Sequence, residues 1–410
     1  MTRVPELRFD GFEGEWENLN LSNITERITR KNNELISNLP LTISAELGLV
    51  NQLEYYNFRV ASKDVSNYYL IYNGEFAYNK STSKDAPFGA IKRLDRYEHG
   101  VLSTLYIAFK VKNSNSNFMK YYFETAIWNN HIYKISQEGA RNHGLLNLNV
   151  SDFFDMPVNL PIITYEQEKI GDLFSKIDQL IESQQELIDQ TIVFKKSMLQ
   201  KMFPKKDYLV PEFRFDGFNR DWREDSISNL LEYRRGSFPQ PYTYDKWYNG
   251  KDSMPFVQVN DVEDNSFLLK EETNKKISKL AMPKSIFVPM GTIVVTIQGT
   301  IGRVAKTQYD SYVDRTLMII KNKKIAINDY FLMVSLFRLF YEEKYKASGG
   351  TIKSLTSKKI GRFIIKIPSL EEQEKIGNFF KKLDEKIARE EKLLDAYKDM
   401  KKSLLQKMFV

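Results

Sequence analysis

The strongest constraint on this chain is a long internal repeat. Residues 5–12, 166–171 and 196–203 recur at 211–218, 372–377 and 402–409, always 206 residues later (211 minus 5). A period of this length is far longer than that of solenoid repeats, and it predicts two copies of a domain followed by a helix. The stretches between the repeated segments, about 13–160 and 219–366, hardly resemble each other. The chain therefore has two similar frames around two different inserts, where a frame is one set of the repeated segments (5–12, 166–171 and 196–203, or their copies).

The composition is that of a globular chain with two large domains. The 410 residues are 42% hydrophobic and 28% charged, which is enough for two substantial cores. Cysteine is absent, which excludes disulfides and thiolate metal sites. No apolar run approaches the roughly 18 residues of a membrane span, and the first residues lack the apolar core of a signal peptide. We therefore expect a cytoplasmic protein without membrane association.

Positive charge is concentrated in the second half of the chain. The whole chain has a net charge of +7. Residues 1–206 carry 24 Lys and Arg against 25 Asp and Glu, which leaves 36 against 28, or +8, for residues 207–410. A basic balance permits an acidic partner such as nucleic acid, although it is common among proteins. If both halves bind phosphate, the first must do so through a local patch.

Apolar periodicity predicts two long amphipathic helices. Apolar residues recur in steps of three and four from Tyr165 to Met202, and again from Ile376 to Met408. Each helix thus has one apolar stripe near heptad spacing. A helix of about 38 residues is roughly 57 Å long, and its stripe requires a partner. Within one chain the two helices must pair antiparallel, because the first leads away from the first domain; a parallel coiled coil between two chains would cover the same stripe.

The predicted fold class is α+β, with two mixed α/β domains joined by two long antiparallel helices in an intramolecular coiled coil of pseudo-two-fold symmetry. The expected order is a domain at 1–163, a helix at 164–203, a domain at 204–367 with a linker at 204–210, and a helix at 368–410. Residue patterns in the inserts predict strands at 68–78, 101–110, 286–297 and 315–320, and helices at 118–128 and 329–345.

The ends of the two helices carry a recognisable motif set. A proline followed by Glu-Gln-Glu-Lys-Ile precedes or begins each helix, and Lys-Ser-x-Leu-Gln-Lys-Met-Phe closes it. Together with two variable regions of about 160 residues, this set resembles the DNA-specificity subunit of type I restriction-modification systems over nearly the whole chain. The resemblance implies a non-catalytic subunit whose two target-recognition domains each bind one half of a split double-stranded DNA site.

The resemblance also implies partner proteins. The two helices are expected to set the gap between the half-sites and to bind two modification (methyltransferase) subunits, to which restriction (translocase and nuclease) subunits can add. S-adenosylmethionine, ATP and Mg²⁺ are expected on those partners, and no cofactor is expected in this chain. The alternative interpretation is a coiled-coil scaffold that binds proteins and does not bind DNA.

The sequence lacks the residues that catalysis would require in both copies. Its three histidines, His99, His131 and His143, all lie in the first half, and it has no Pro-Pro pair for the amino-methyltransferase signature of the partner subunit. Residues 349–354 resemble a phosphate-binding loop only weakly, because no glycine directly precedes the lysine. We therefore predict no catalytic, cofactor-binding or metal-binding residue.

Phosphate contacts in the first insert are expected from a basic turn that follows a predicted strand. The turn is rich in hydroxyl groups and contains Lys80, Ser81 and Lys84, with Lys92 and Arg93 shortly after it. Ammonium, guanidinium and hydroxyl groups are the side chains that most often contact the DNA backbone. Taken alone, this stretch is equally typical of an ordinary surface loop.

Base contacts are expected from a glycine-flanked loop of the first insert that contains Arg141, Asn142 and His143. Arg and Asn form paired hydrogen bonds with the edges of guanine and adenine, respectively. An ordinary surface loop again has the same pattern. In the second insert the expected counterparts are Arg234, Arg235, Gln298, Thr300, Arg303 and Lys353.

Overall fold

A computed structural model describes residues 3–44, 47–84, 86–136, 144–264, 266–345 and 355–410. The chain divides into two compact units. The first unit contains Met1–Gln185 and Lys392–Val410, and the second contains Glu186–Glu391. This grouping divides each long helix between the units, whereas the predicted domain boundaries kept each helix whole. Those boundaries stay a prediction.

The first unit mixes short strands and helices before its long helix. Its elements are β1 (Glu17–Asn20), α1 (Leu21–Ile24), β2 (Thr25–Ile28), β3 (Leu41–Ser44), β4 (Gly48–Asn51), α2 (Gln52–Tyr56), β5 (Tyr69–Tyr72), β6 (Phe76–Asn79), β7 (Ala90–Arg93), β8 (His99–Leu102), β9 (Ile107–Val111), α3 (Ser116–Tyr122), α4 (Asn129–Ser136), α5 (Val150–Phe154), β10 (Pro157–Leu160) and the start of α6 (Thr164–Lys201).

The second unit begins within α6 and ends within the last helix. Its remaining elements are β11 (Arg223–Ser226), α7 (Ile227–Leu230), β12 (Leu231–Arg235), β13 (Met254–Val257), β14 (Lys275–Ile277), β15 (Ile286–Val288), β16 (Ile293–Thr296), β17 (Val304–Lys306), β18 (Ser311–Val313), β19 (Leu317–Lys323), α8 (Asp329–Tyr345), α9 (Ser357–Gly361), β20 (Ile364–Ile367) and α10 (Leu370–Met408). The predicted α+β class and both long helices are therefore confirmed.

The two units share one sheet arrangement, although their sequences differ there. A four-stranded antiparallel sheet has the order β2-β9-β6-β7 in the first unit and β12-β19-β16-β17 in the second. A two-stranded antiparallel pair, β1-β10 or β11-β20, precedes the long helix of each unit. The remaining sheets differ, being β3-β4 and β5-β8 in the first unit and β14-β13-β18-β15 in the second. The duplication thus extends into the inserts.

Three of the predicted strands are wrong in extent, because a turn divides each of them. The stretch 68–78 forms β5 and β6 on either side of Gly74, and 286–297 forms β15 and β16 on either side of Gly291. Both glycines have a left-handed backbone, with φ of 83° and 90°, a conformation that glycine adopts without steric cost. The stretch 101–110 likewise divides between β8 and β9, and the helix predicted at 118–128 ends at Tyr122.

The last residues of each repeated frame complete an aromatic core. In the first unit, Phe409 packs against Phe174 with ring centroids 5.8 Å apart, and Trp16 lies 5.6 Å from Phe118 in the same cluster. All four side chains are buried. The closing Met-Phe pair of the repeat is therefore a core element.

The second unit repeats this arrangement with the other copy. Phe203 lies 6.1 Å from Phe380 and 5.7 Å from Trp222 and from Phe331. The start of α10 thus packs against the end of α6 in this unit, and the start of α6 packs against the end of α10 in the first unit. In both units the two helices therefore run antiparallel, as the intramolecular pairing predicted.

The repeated Glu-Gln-Glu-Lys-Ile-Gly segment begins with a buried ion pair. Glu166 accepts hydrogen bonds from Arg8 Nε at 2.7 Å and Nη2 at 2.8 Å, and Glu372 accepts the same two bonds from Arg214 at 2.8 and 2.7 Å. Both glutamates are 1% exposed. The hydrogen bond to Glu166 raises the pKa of Arg8. The pair joins the first repeated segment to the second, which explains why both recur together.

The glutamine and glycine of this segment have equally specific contacts. Gln167 donates to Pro161 O at 2.8 Å and accepts from Asn115 N at 2.9 Å, which fixes the start of α3 beside α6. A Cβ atom on Gly171 would lie 2.9 Å from the backbone nitrogen of Phe118. In the second unit, Gln373 donates to Pro368 O and accepts from Asn328 N, and Gly377 faces Asn328 and Phe331.

A lysine of one long helix is paired with an aspartate of the other in each unit. Lys401 lies 2.7 Å from Asp178, which also accepts from Tyr121 OH at 2.8 Å. Burial opposes the charge of Lys401, but Glu124 and Asp178 outweigh it and raise its pKa.

The second unit has the equivalent ion pair, Lys195 with Asp384, and Tyr330 OH donates to Asp384 at 2.5 Å. Burial raises the pKa of Asp384, against the opposing effect of Lys195. These two ion pairs were not predicted, although both the lysine and the aspartate recur at the 206-residue offset.

Candidate nucleic-acid interface

The predicted basic turn of the first unit lies between β6 and β7. Ser81 and Lys84 are exposed there, and Lys80 is half-buried. The turn is joined to the segment that follows the glycine-flanked loop, since Leu146 N donates to Lys80 O at 3.0 Å and Thr82 N donates to Gly144 O at 2.7 Å. The candidate phosphate-binding turn therefore lies directly beside the point where the candidate base-contacting loop ends. Residues 141–143 of that loop (Arg141, Asn142 and His143) lie outside the described residues.

Lys92 and Arg93, on β7, are less available than the turn. Arg93 donates from Nε to Asp95 at 2.6 Å and from Nη1 to Asn117 at 2.8 Å. Burial lowers the pKa of Lys92. These contacts favour a structural role for Arg93, and a DNA contact by either residue stays a prediction.

The corresponding turn of the second unit lies between β16 and β17 and contains Gln298 and Thr300. It has the same place in the four-stranded sheet as the β6-β7 turn. Thr300 is exposed, and Gln298 is half-buried. Leu355 N donates to Ile297 O at 2.9 Å, so the segment after residues 346–354 returns to this turn, as residues 144–146 do in the first unit. Lys353 lies outside the described residues.

Arg303, just before β17, is held by the loop before β14. Its Nη2 donates to Asp264 at 2.6 Å and its Nη1 to Val262 O at 3.1 Å. Its side chain is only 20% exposed. A DNA contact by this guanidinium would have to compete with these bonds, and it stays a prediction.

Arg234 and Arg235 end β12, at the edge of the same sheet. Arg234 is exposed and donates to the neighbouring Arg235 O at 3.4 Å. Arg235 is half-buried, and its Nε and Nη2 have no hydrogen-bond partner among the described residues. Because buried donors without an acceptor are unfavourable, Arg235 has unused capacity to bind one.

Exposed apolar side chains form a second repeated feature, on the later half of each long helix. In the second unit, Leu187 and Phe194 are 37% and 46% exposed on α6, seven residues apart. In the first unit, Leu393 and Met400 have the equivalent positions on α10 and are 39% and 41% exposed. Apolar residues seven apart lie on one helix face. Each unit therefore presents the same apolar surface pair.

In the described part of the chain, no helix combines the length and the apolar character that crossing a bilayer demands. Within the same residues, no three His, Cys, Asp or Glu side chains come together as a metal site requires.

Comparisons with known proteins point to one family. Residues 219–397 match the family model of the type I restriction modification DNA specificity domain. A curated relative, the MjaX type I restriction enzyme specificity subunit of Methanocaldococcus jannaschii, is 23% identical over 95% of this chain and 92% of its own length.

Solved structures share the fold over nearly the full length. The S subunit of the type I restriction-modification system of M. genitalium superimposes with a TM-score of 0.58 and 14% identity, over 99% of both chains. A chain from a structural study of complex assembly and conformational transition in the type I R-M system gives a TM-score of 0.58 at 15% identity, over 96% of this chain and 97% of its own. Residues 219–397 thus match the type I restriction modification DNA specificity domain, the chain as a whole is similar to a specificity subunit of such a system, and the scaffold alternative is not favoured.

Proposed function

We propose that each unit binds one half of a bipartite DNA target and that the two long helices set the gap between the halves. The observation that carries the proposal is the shared four-stranded sheet. It presents a turn at the same place in both units, hydrogen-bonded to the residues that follow segments 137–143 and 346–354, while the residues of the turns differ. Recognition of two different half-sites requires two units that share one backbone arrangement and differ in the side chains of their turns.

The same helices are proposed to bind two methyltransferase subunits. The apolar pairs Leu187 with Phe194 and Leu393 with Met400 support this, because equivalent surfaces on the two helices can bind two copies of one partner. Exposed apolar side chains in a regular row are typical of helix-docking surfaces. A restriction subunit can then join the methyltransferase subunits.

The chemistry is proposed to belong to these partners. This chain supplies recognition and spacing and is itself non-catalytic. S-adenosylmethionine would be the methyl donor of the methyltransferase subunits, and ATP and Mg²⁺ would serve the restriction subunits.

A chimera tests the assignment of the half-sites. Residues 12–160 are replaced by the corresponding insert of another specificity subunit, and the methylated bases of cells carrying the chimera are located by sequencing. One half of the methylated target should change, and the other half should stay. A matched chimera that exchanges residues 219–366 should change only the other half. A change in both halves, or in neither, from a single exchange would contradict the proposal.

A further inference from the structure

The second unit carries lysines that lie on aromatic rings. Lys246 Nζ is 4.6 Å from the ring centroid of Trp247, and Lys284 Nζ is 5.1 Å from the same ring. Lys275 Nζ lies 4.3 Å from the ring of Tyr248. All three lysines are exposed. We call this group the lysine–aromatic surface; with Tyr244, whose ring lies 5.0 Å from Lys246 Nζ, it comprises Tyr244, Lys246, Trp247, Tyr248, Lys275 and Lys284.

The backbone under this surface is fixed by hydrogen bonds. Ser278 N donates to Trp247 O at 2.9 Å, and Ser278 Oγ donates to Lys246 O at 2.6 Å. Ser237 Oγ donates to Lys284 O at 2.9 Å. The lysines therefore project from a backbone that joins the edge strand β14 to the segments beside it. Their placement is preorganised.

The charge of these lysines is not neutralised within the described part of the chain, where none of the three forms an ion pair. A ring face attracts an ammonium group without cancelling its charge. Two ammonium groups on one indole repel each other, and an anion between or beside them relieves that repulsion. The segment from 275 to 284 contains four lysines and no Asp or Glu, and of these four Lys279 lies 3.8 Å from Asp252.

The first unit has stacked cations as well. Arg30 lies 4.5 Å from the ring of Tyr72 and is ion-paired with Glu75 at 2.7 Å. Lys31 lies on the ring of Tyr69, and Lys169 lies 5.1 Å from the ring of Tyr165, so stacking alone does not distinguish the units. They differ in net charge, which is −1 for residues 1–206 and +8 for 207–410.

We propose that the lysine–aromatic surface binds phosphates of the DNA backbone, so that the second unit supplies most of the affinity that does not depend on base sequence. The proposal rests on the proposed function, since it takes duplex DNA as the partner. Exposed ammonium groups without an ion pair, held on ring faces, are suited to contacts with backbone phosphates. The base-contacting turns then act on a duplex that this surface already holds.

Salt dependence tests the proposal directly. The full chain and the double variant Lys246→Gln, Lys284→Gln are titrated with target duplex and with a scrambled duplex between about 50 and 200 mM salt. Each phosphate contact contributes about 0.9 to the slope of log affinity against log salt. The slope of the variant should be smaller in magnitude by roughly two than that of the chain without substitutions. Between about 50 and 200 mM salt, the factor by which its affinity falls should therefore be roughly 10 times smaller. The ratio between target and scrambled affinity should stay unchanged.

The matched control is Lys321→Gln, Lys381→Gln, which removes the same charge from two exposed lysines that are paired with Glu232 and Glu385. It should leave the slope close to that of the unchanged chain. An equal fall in slope for control and variant would overturn the proposal, because bulk charge alone would then explain it.

Two further outcomes separate this proposal from the proposed function. If the variant keeps the full salt slope while the chain without substitutions prefers its target, the proposed role of the lysine–aromatic surface is overturned and the proposed function stands. A variant that keeps its slope but no longer co-purifies with a methyltransferase subunit also overturns it, since the surface would then bind an acidic protein. If the chain without substitutions bound target and scrambled duplex equally well, the proposed function would be contradicted. The comparison of salt slopes would still show whether the lysine–aromatic surface binds phosphates.

Discussion

The side chains of the repeated frame and those of the β6-β7 and β16-β17 turns differ in burial. In the frame, key repeated residues have buried contacts: Glu166 and Glu372 each bind an arginine, and Gly171 and Gly377 each face a helix start. In the β6-β7 and β16-β17 turns, side chains such as Lys84 and Thr300 are exposed. Replacing one of these residues leaves an unpaired charge or forces a steric clash, whereas a substitution in the turns leaves the core intact. The comparison shows how a duplicated chain can keep its architecture while the residues of its turns diverge.

Rotating the apolar stripe of α6 away from α10 would disrupt the frame most. One extra residue after Asp189 should rotate the apolar stripe of α6 by about 100° relative to α10, and folding or assembly should be lost. Four extra residues, a duplicate of 186–189, nearly preserve the stripe and add roughly 6 Å. The four-residue variant should methylate the same half-sites at a wider spacing, measured by sequencing of methylated bases. An active variant with unchanged spacing would show that the helices do not set the gap.

Removing one buried carboxylate should weaken only the unit that contains it. Glu166→Ala leaves the Arg8 guanidinium without its partner, and loss of one partner of a buried pair costs about 3–5 kcal/mol. Hydrogen exchange should therefore show lost protection at the start of α6, with the start of α10 unchanged. Glu372→Ala should give the mirror result. Glu168, which is exposed, provides the control, and Glu168→Ala should change stability by less than about 0.5 kcal/mol. Equal losses at both helix starts would show that the two frames are not independent.

Substitutions near the turns should alter recognition without altering stability. Arg141→Ala and Asn142→Ala should each relax base preference in one half-site by about 1–3 kcal/mol, because each removes a paired hydrogen bond to a base edge. Lys84→Ala should weaken binding to all sequences alike, since a phosphate contact carries no base information. Competition binding against mismatched duplexes distinguishes the two effects. Sequence-independent losses of equal size at all three positions would show that the base-contacting loop lies elsewhere.

The long helices were predictable because their signal is local and repeated. The apolar stripe of α6 needs only the spacing of Ile170, Phe174 and Ile177, and the second copy confirms it. The helix at Asp329–Tyr345 was predicted from its local residue pattern, without a second copy. The divided strands were missed, although Asn73-Gly74 and Gly291 are turn signals, because the surrounding residues are uniformly β-forming.

Other features depend on contacts between distant parts of the chain. The common sheet order of the two units arises from pairings between strands far apart in sequence, and the strand residues have diverged. Lys195 and Asp384 are typical of solvated helix faces until α6 and α10 are placed side by side. Likewise, Trp247 and Lys284 are 37 residues apart (284 minus 247), and the backbone bonds around β14 and the packing of Trp247 with Ile277 and Ala281 bring them together.

The burial of Phe409 in the first unit has a consequence for synthesis on the ribosome. The core around Trp16 and Phe174 receives this ring from the other end of the chain. About 200 residues must be translated between Gln185 and Lys392 before it can arrive, which takes roughly 10–40 s at ordinary elongation rates. During that interval the nascent first unit exposes an apolar cleft where Phe409 will pack. The nascent chain is therefore a natural substrate for chaperones, and rare codons in the second half would lengthen its exposure.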